Sequence, residues 1–497
     1  MSERRSGILF HITSLPSPFG IGDMGRGAYK FADFLATSKQ GLWQILPLNP
    51  TDLVYGNSPY HSTFAFGGSS LLLSPELLAQ EGFLDQGDLA PPSFPEERVD
   101  FPGVVKYKDA ILRRAYERFK GNGEPDGYRE FCVENAYWLD DFALFASLKE
   151  HHQGRVWSEW PHGLRDREPE ALQSWKREHH DRVEREKFVQ YLFFKQWLAL
   201  KVYCNGKGIK IIGDIPIYVV YDSADVWAHP GLFNLDHEKR PLTVAGVPPD
   251  YFSETGQLWG NPVYRWDAVQ ATNYDWWLKR LAHNMKLFDL LRVDHFRGFI
   301  AYWEVPATQR IATPGQWVKA PAMDFFKRLM DRFPSLPIIA EDLGTITPDV
   351  WEVMDHFGFP GMKVLLFAFG EGLPSNPYAP HNHVKNCVVY TGTHDNNTAR
   401  GWFENEAAPR DKERLARYLG KDLNAETVHR DLIRLAMMSV ADRVIIPMQD
   451  ILGLGEEARM NLPAKKDGNW QWRLLEKNLT SALSRQLLEW TEIYGRG

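Results

Sequence analysis

Short apolar runs recur along the chain at residues 7–11, 42–48, 209–215, 290–294, 337–341, 362–367, 388–393 and 444–448, and many close on a polar or charged residue. Runs of this length, apolar on both faces, are how fully buried parallel strands read. Eight of them, separated by helix-like segments, predict an α/β fold, the (β/α)8 TIM barrel. A large doubly wound sheet would give a similar periodicity. Two details favour the barrel: the count, and the polar residues at the C-terminal ends of several runs, where a barrel builds its site.

The runs are unevenly spaced within what reads as one catalytic barrel over 1–497, without internal repeats or long linkers. The gap between the second and third is too long for one crossover helix. Residues 71–185 read as a helical insertion after strand 2, with helices over 109–119, 128–148 and about 168–203. The Glu, Lys and Arg between 165 and 187 read as a solvated helix face. A second insertion, 222–275, follows strand 3. It carries VAGVPPDYFSETGQLWGNPVYRW, and Gly, Pro and aromatic residues in a long ordered loop mark 247–262 as a lid. A helix over 274–288 then leads into the fourth strand.

A net charge of −7, with basic residues scattered, recommends neither a nucleic-acid nor a membrane partner. Cys132, Cys204 and Cys387 form no CxxC pair or disulfide framework. With no signal-peptide pattern at the N-terminus, the expected location is cytoplasmic. Aromatic residues make up 13% of the chain, and many lie in loop-like segments. Their ring faces suit sugars as well as cores, although core packing accounts for most of them.

The densest chemistry lies in LLRVDHFRG, residues 290–298. Alternation along a strand puts Arg292 and Asp294 on one face, where the guanidinium would hold the carboxylate ionised. Taken alone, the stretch is equally well a structural ion pair. Further carboxylates, Asp214, Glu341 with Asp342, and Asp395, fall at other strand ends. A barrel gathers such ends at one mouth, and crowded carboxylates in a partly dry pocket raise the pKa of at least one. An anionic nucleophile beside a protonated acid is what glycosidic-bond cleavage needs. A metal site is the competing use. His11, His295 and His394 lie in no metal-ligand spacing, and His381-Asn382-His383 sits in a Pro/Asn-rich loop, so no metal is expected. No P-loop, dinucleotide fingerprint or G-x-S-x-G elbow is present.

SPYHSTFAFGG (58–68), GDIPIYVVYDSADVWAHP (213–230), VPPDYFSETGQLWGNPVY (247–264), LLRVDHFRG, IAEDLG, GTHDNNT and IIPMQDILGL together resemble the amylomaltases. These are the 4-α-glucanotransferases (disproportionating enzymes) of glycoside hydrolase family 77 in the α-amylase clan. The likeness runs from HITSLPSPFGIGDMG near the start to RMNLP and NWQWR near the end. It implies a barrel with inserted subdomains, no C-terminal β-sandwich domain, no cofactor, and α-1,4-glucan substrates such as maltooligosaccharides, starch and glycogen. It further implies Asp294 as nucleophile, Glu341 as general acid/base and Asp395 as transition-state stabiliser. Arg292 would orient the nucleophile, His295 and His394 would bind sugar hydroxyls, and Asp214 is the carboxylate of the third strand's motif. Tyr60 would lie beneath the reacting sugar, with Trp259 and Asn261 in the covering loop. Tyr251, Phe252 and Trp259 read as sugar-stacking rings. His61 departs from the family's pattern, where Gln is more common. Asp342 and Arg297 read as structural, and Gly213 and Gly392 as relief of crowding next to a carboxylate.

Overall fold

The computed structural model describes residues 4–249, 254–463, 465 and 467–497. The eight apolar runs form β1 (Arg5–Leu9), β2 (Leu42–Gln44), β3 (Lys210–Ile215), β4 (Leu290–Val293), β5 (Ile338–Ala340), β6 (Gly361–Val364), β7 (Cys387–Tyr390) and β8 (Arg443–Pro447). They make one parallel sheet in the order β6-β7-β8-β1-β2-β3-β4-β5. Between β5 and β6 the Ala340 amide donates to the Pro360 carbonyl at 2.9 Å, and the Asp342 carboxylate takes the Met362 amide at 2.6 Å. The sheet is thereby a nearly closed (β/α)8 barrel. Asp342 works as a clasp between two strands. A Cβ at position 361 would lie 2.6 Å from its carboxylate, so only glycine fits there.

The strands are short because the barrel wall needs only a few residues of each. Ile211, Ile212, Leu291, Val388, Val389, Ile445 and Ile446 are fully buried, and β-branched side chains fit a pleated surface covered on both faces.

Between β2 and β3 the chain is helical, with main helices Phe101–Asn122, Tyr128–His151, Pro169–Glu178 and His180–Gly206. The single helix expected over 168–203 is two, separated at His179. The Trp175 indole is drawn onto the Ser147 hydroxyl at 2.9 Å, so the first piece packs on Tyr128–His151. In the second piece Gln190 and Gln196 are buried and bond both backbone groups of Gly68 and of Ser74. The long helix therefore grips the loop that carries Tyr60.

The insertion after β3 departs from the sequence expectation. A four-stranded antiparallel sheet stands over the barrel, in the order Gln257–Pro262, Thr243–Val247, Ala301–Pro306, Gln316–Lys319. The last two strands come from beyond β4, so the inserted structure is not only helices and a loop. The stretch 247–262 is in part a hairpin arm, and Asp250 to Ser253 lie outside the described residues. No strand follows β8 among the described residues; the last long element is the helix Ser481–Ile493.

Candidate active site

Four barrel strands bring the carboxylates together. Asp214 is in β3, Asp294 follows β4, Glu341 follows β5, and Asp395 lies beyond β7 in the turn after Gly392. Asp214 is buried and accepts from both Arg292 (2.7 and 2.8 Å) and the Tyr60 hydroxyl (2.7 Å). The other guanidinium nitrogen of Arg292 reaches Asp294 at 2.9 Å. Arg292 is itself 2% exposed, so its charge is spent on these two acids. The fork geometry of arginine is what lets one side chain serve both. Asp294 keeps 27% of its side chain open to the cleft. The result is a chain of contacts, Tyr60–Asp214–Arg292–Asp294, that aims one carboxylate at the cleft.

Strand alternation stops after Val293. His295 takes a left-handed conformation (φ 49°, ψ 50°), and its amide is thereby delivered to Glu341 at 2.8 Å. The Leu343 amide meets the other oxygen of Glu341, also at 2.8 Å. Burial, and then the charge of Asp294, push the Glu341 carboxyl up to about 7, against the opposing pull of Arg292 and those two amides. Asp395 goes the other way. Burial would raise it, but His394 at 3.2 Å and the Asn461 amide at 2.6 Å hold its carboxyl well below the usual carboxylate range. Two carboxyl groups at one mouth thus differ in their hold on a proton.

The aromatic groups complete the floor and one wall. Tyr60 stacks on His394 with centroids 5.0 Å apart and planes 14° apart. Trp259 meets His295 edge-on at 4.8 Å. Burial lowers the His295 ring to about 4, so it is neutral at pH 7. Asn261 is buried and donates to the Val219 carbonyl at 3.0 Å, tying the hairpin to the segment after β3. Tyr251 and Phe252 lie outside the described residues. His61 stacks on Tyr55 at 5.7 Å, away from the carboxylates. Arg297 donates to the Thr345 carbonyl and lies over the Trp317 ring at 3.8 Å, a structural placement. Gly213, next to Asp214, does relieve crowding: a Cβ there would strike the Phe288 ring. Among the described residues no cluster of three or more His, Cys, Asp or Glu is placed to hold a metal ion. His381 and His383 bond instead to Tyr418, Pro374 and Tyr378.

The glycoside hydrolase 77 family model, described as 4-alpha-glucanotransferase, matches residues 10–479. The chain belongs to this family. It is 49% identical to the 4-alpha-glucanotransferase of Synechocystis over 100% of this chain and 99% of that one. Its identity to the Thermus thermophilus 4-alpha-glucanotransferase is 47%, over 98% and 99%. Among solved structures, the amylomaltase from Streptococcus agalactiae in complex with acarbose superposes with a TM-score of 0.96, at 41% identity and 100% coverage of both chains.

Three residues of this glucanotransferase-family site were not singled out in the sequence, although RMNLP and NWQWR contain them. Asn461 donates to the Asp395 carboxylate, Arg459 to the Asp395 carbonyl at 3.0 Å, and Trp470 packs on both Tyr60 and His394. Trp470 has a positive φ of 64°, an uncommon conformation for a bulky residue that marks a constrained loop. Their motif membership was visible, but nothing in the sequence said that a segment beyond β8 folds back over the turn after β7.

Proposed function

We propose that the protein is a 4-α-glucanotransferase that moves α-1,4-glucan segments between maltooligosaccharide, starch or glycogen chains by retaining double displacement. The observation that carries the mechanism is the unequal carboxylate set: Asp294 pinned by Arg292, and Glu341 held near 7 beside it. Asp294 attacks the anomeric carbon while Glu341, protonated, gives its proton to the leaving 4-oxygen. A glycosyl ester to Asp294 remains. Glu341, now ionised, takes the proton of an acceptor's 4-hydroxyl, and that oxygen displaces Asp294. Asp395, held ionised by His394 and Asn461, lowers the energy of the oxocarbenium-like transition state. Tyr60 supports the sugar ring from below, His295 and His394 bond its hydroxyls, and Trp259 with Tyr251 and Phe252 stack on acceptor sugars.

The mechanism uses no metal or organic cofactor. No helix among the described residues is long and apolar enough to cross a membrane. The three free cysteines fit a reducing compartment, and this supports the reading of a cytoplasmic enzyme. Pure maltotriose is the test: transfer gives maltopentaose and longer chains with glucose, whereas a hydrolase gives only shorter sugars. A product series without chains longer than three units would overturn the reading.

A further inference from the structure

A small cavity of about 20 Å³ is lined by both His11 and His394. That is room for about one water. Ser14, Thr393, Asp450 and Arg459 also line it, but each is engaged: Ser14 with Met460, Thr393 with Asn396, Asp450 with Thr391 and the Ala399 amide, Arg459 with Glu406 and two carbonyls. The two histidines differ. His394 has its Nε2 on Asp395 at 3.2 Å, while its Nδ1 is buried without a partner among the described residues. His11 accepts the Leu46 amide on Nδ1 at 3.2 Å. Burial, the largest cause, lowers the His11 ring to about 3 and keeps it neutral, so its proton sits on Nε2. One histidine thus has a donor to offer and the other a buried acceptor to fill.

We propose that His11 is a positioning residue which, through one water in this cavity, fixes the proton of His394 on Nε2 and so aims it at Asp395. The hydrogen bonds then run in one direction: Leu46 N–H to His11 Nδ1, His11 Nε2–H to water, water to His394 Nδ1, and His394 Nε2–H to Asp395, a donor shared with a sugar hydroxyl when substrate is bound. Turning the ring over to satisfy Nδ1 otherwise would give up the contact between Nε2 and Asp395. A buried polar atom left unpaired is costly, which is the physical reason for the water. The catalytic consequence rests on the reading of Asp395 as stabiliser; the tautomer does not.

Long-range 1H–15N spectra of histidine-labelled enzyme at pH 7, with His394 assigned by its loss in His394→Gln, read the ring directly. The wild-type ring is expected in the neutral Nε2–H form; an Nδ1–H or doubly protonated ring overturns the proposal without any variant. In His11→Asn the side-chain oxygen still faces Leu46 but the Nε2 donor is gone. This variant should mix the two tautomers and lower kcat roughly five- to tenfold, with KM within about twofold. His11→Gln puts an amide nitrogen where Nε2 was and should restore both readouts. A wild-type tautomer in His11→Asn, or equal impairment of the two variants, rules out this role. Should Asp395→Asn keep full activity while the tautomer result holds, the reading of Asp395 fails and the link between the histidines stands.

Discussion

Replacing Glu341 by glutamine should cripple the enzyme and stabilise it, the second effect only at high pH. The carboxyl titrates near 7 in the fold and near 4.5 in an open chain. A group raised in this way contributes stability that is complete below pH 4.5 and is lost as pH rises through 7. The loss is about 3 kcal/mol once the group is fully ionised, and the part of the side chain open to the cleft trims it to about 2 kcal/mol. Glutamine never ionises, so the variant escapes that loss. Urea unfolding of both proteins at pH 5 and pH 8.5 reads the effect. The stability gap should move in the variant's favour by about 2 kcal/mol between the two pH values. Transfer from maltotriose should fall on the order of 10²–10⁴-fold, while an α-maltosyl fluoride, whose leaving group needs little protonation, should react far better. A stability gap that does not change with pH would refute the claim that Glu341 is the group held protonated by burial and Asp294.

Asp214→Asn removes the charge that Arg292 and Tyr60 both rely on. It should cost about 3–5 kcal/mol in chemical unfolding, the usual consequence of leaving a buried cation half-paired. Asn461→Ala deletes the short bond to Asp395 and should lower kcat/KM on maltotriose ten- to hundredfold, the worth of about one hydrogen bond to a charged group. Trp259→Ala, Tyr251→Ala and Phe252→Ala should each raise the ratio of hydrolysis to transfer, read as free reducing ends per transfer event. The cause is that water at roughly 55 M competes wherever acceptor stacking weakens.

The barrel was legible because strands buried on both faces leave an unbroken apolar signature, and all eight runs became strands within a few residues of their expected bounds. Glu341 and Asp395 stood out for a related reason: charge at the end of a core strand has few structural excuses. What escaped was assembled from a distance. The antiparallel sheet pairs Thr243–Val247 with Ala301–Pro306, across a whole barrel strand and helix. Its edge strand Gln316–Lys319 is largely exposed and carries no alternation, so no local pattern announced it. The partner that crowds Gly213, the Phe288 ring, belongs to a different segment and could not be named from the sequence. Asn461 and Trp470 lay in recognised motifs, but their reach to Asp395 and Tyr60 is a property of the tertiary path. The break at His179 is of the same kind, a packing preference of Trp175 overriding a sequence that is helical throughout.

The central claim is that Asp294 carries the sugar between donor and acceptor. In Glu341→Gln, an α-maltosyl fluoride can form the glycosyl ester, whereas its discharge is slowed because no base deprotonates the acceptor. Intact-mass and peptide-mass measurements on the quenched mixture should find one maltosyl group added, on the peptide containing Asp294. An adduct on any other residue, or no adduct while fluoride is released and sugar product appears, would contradict the account.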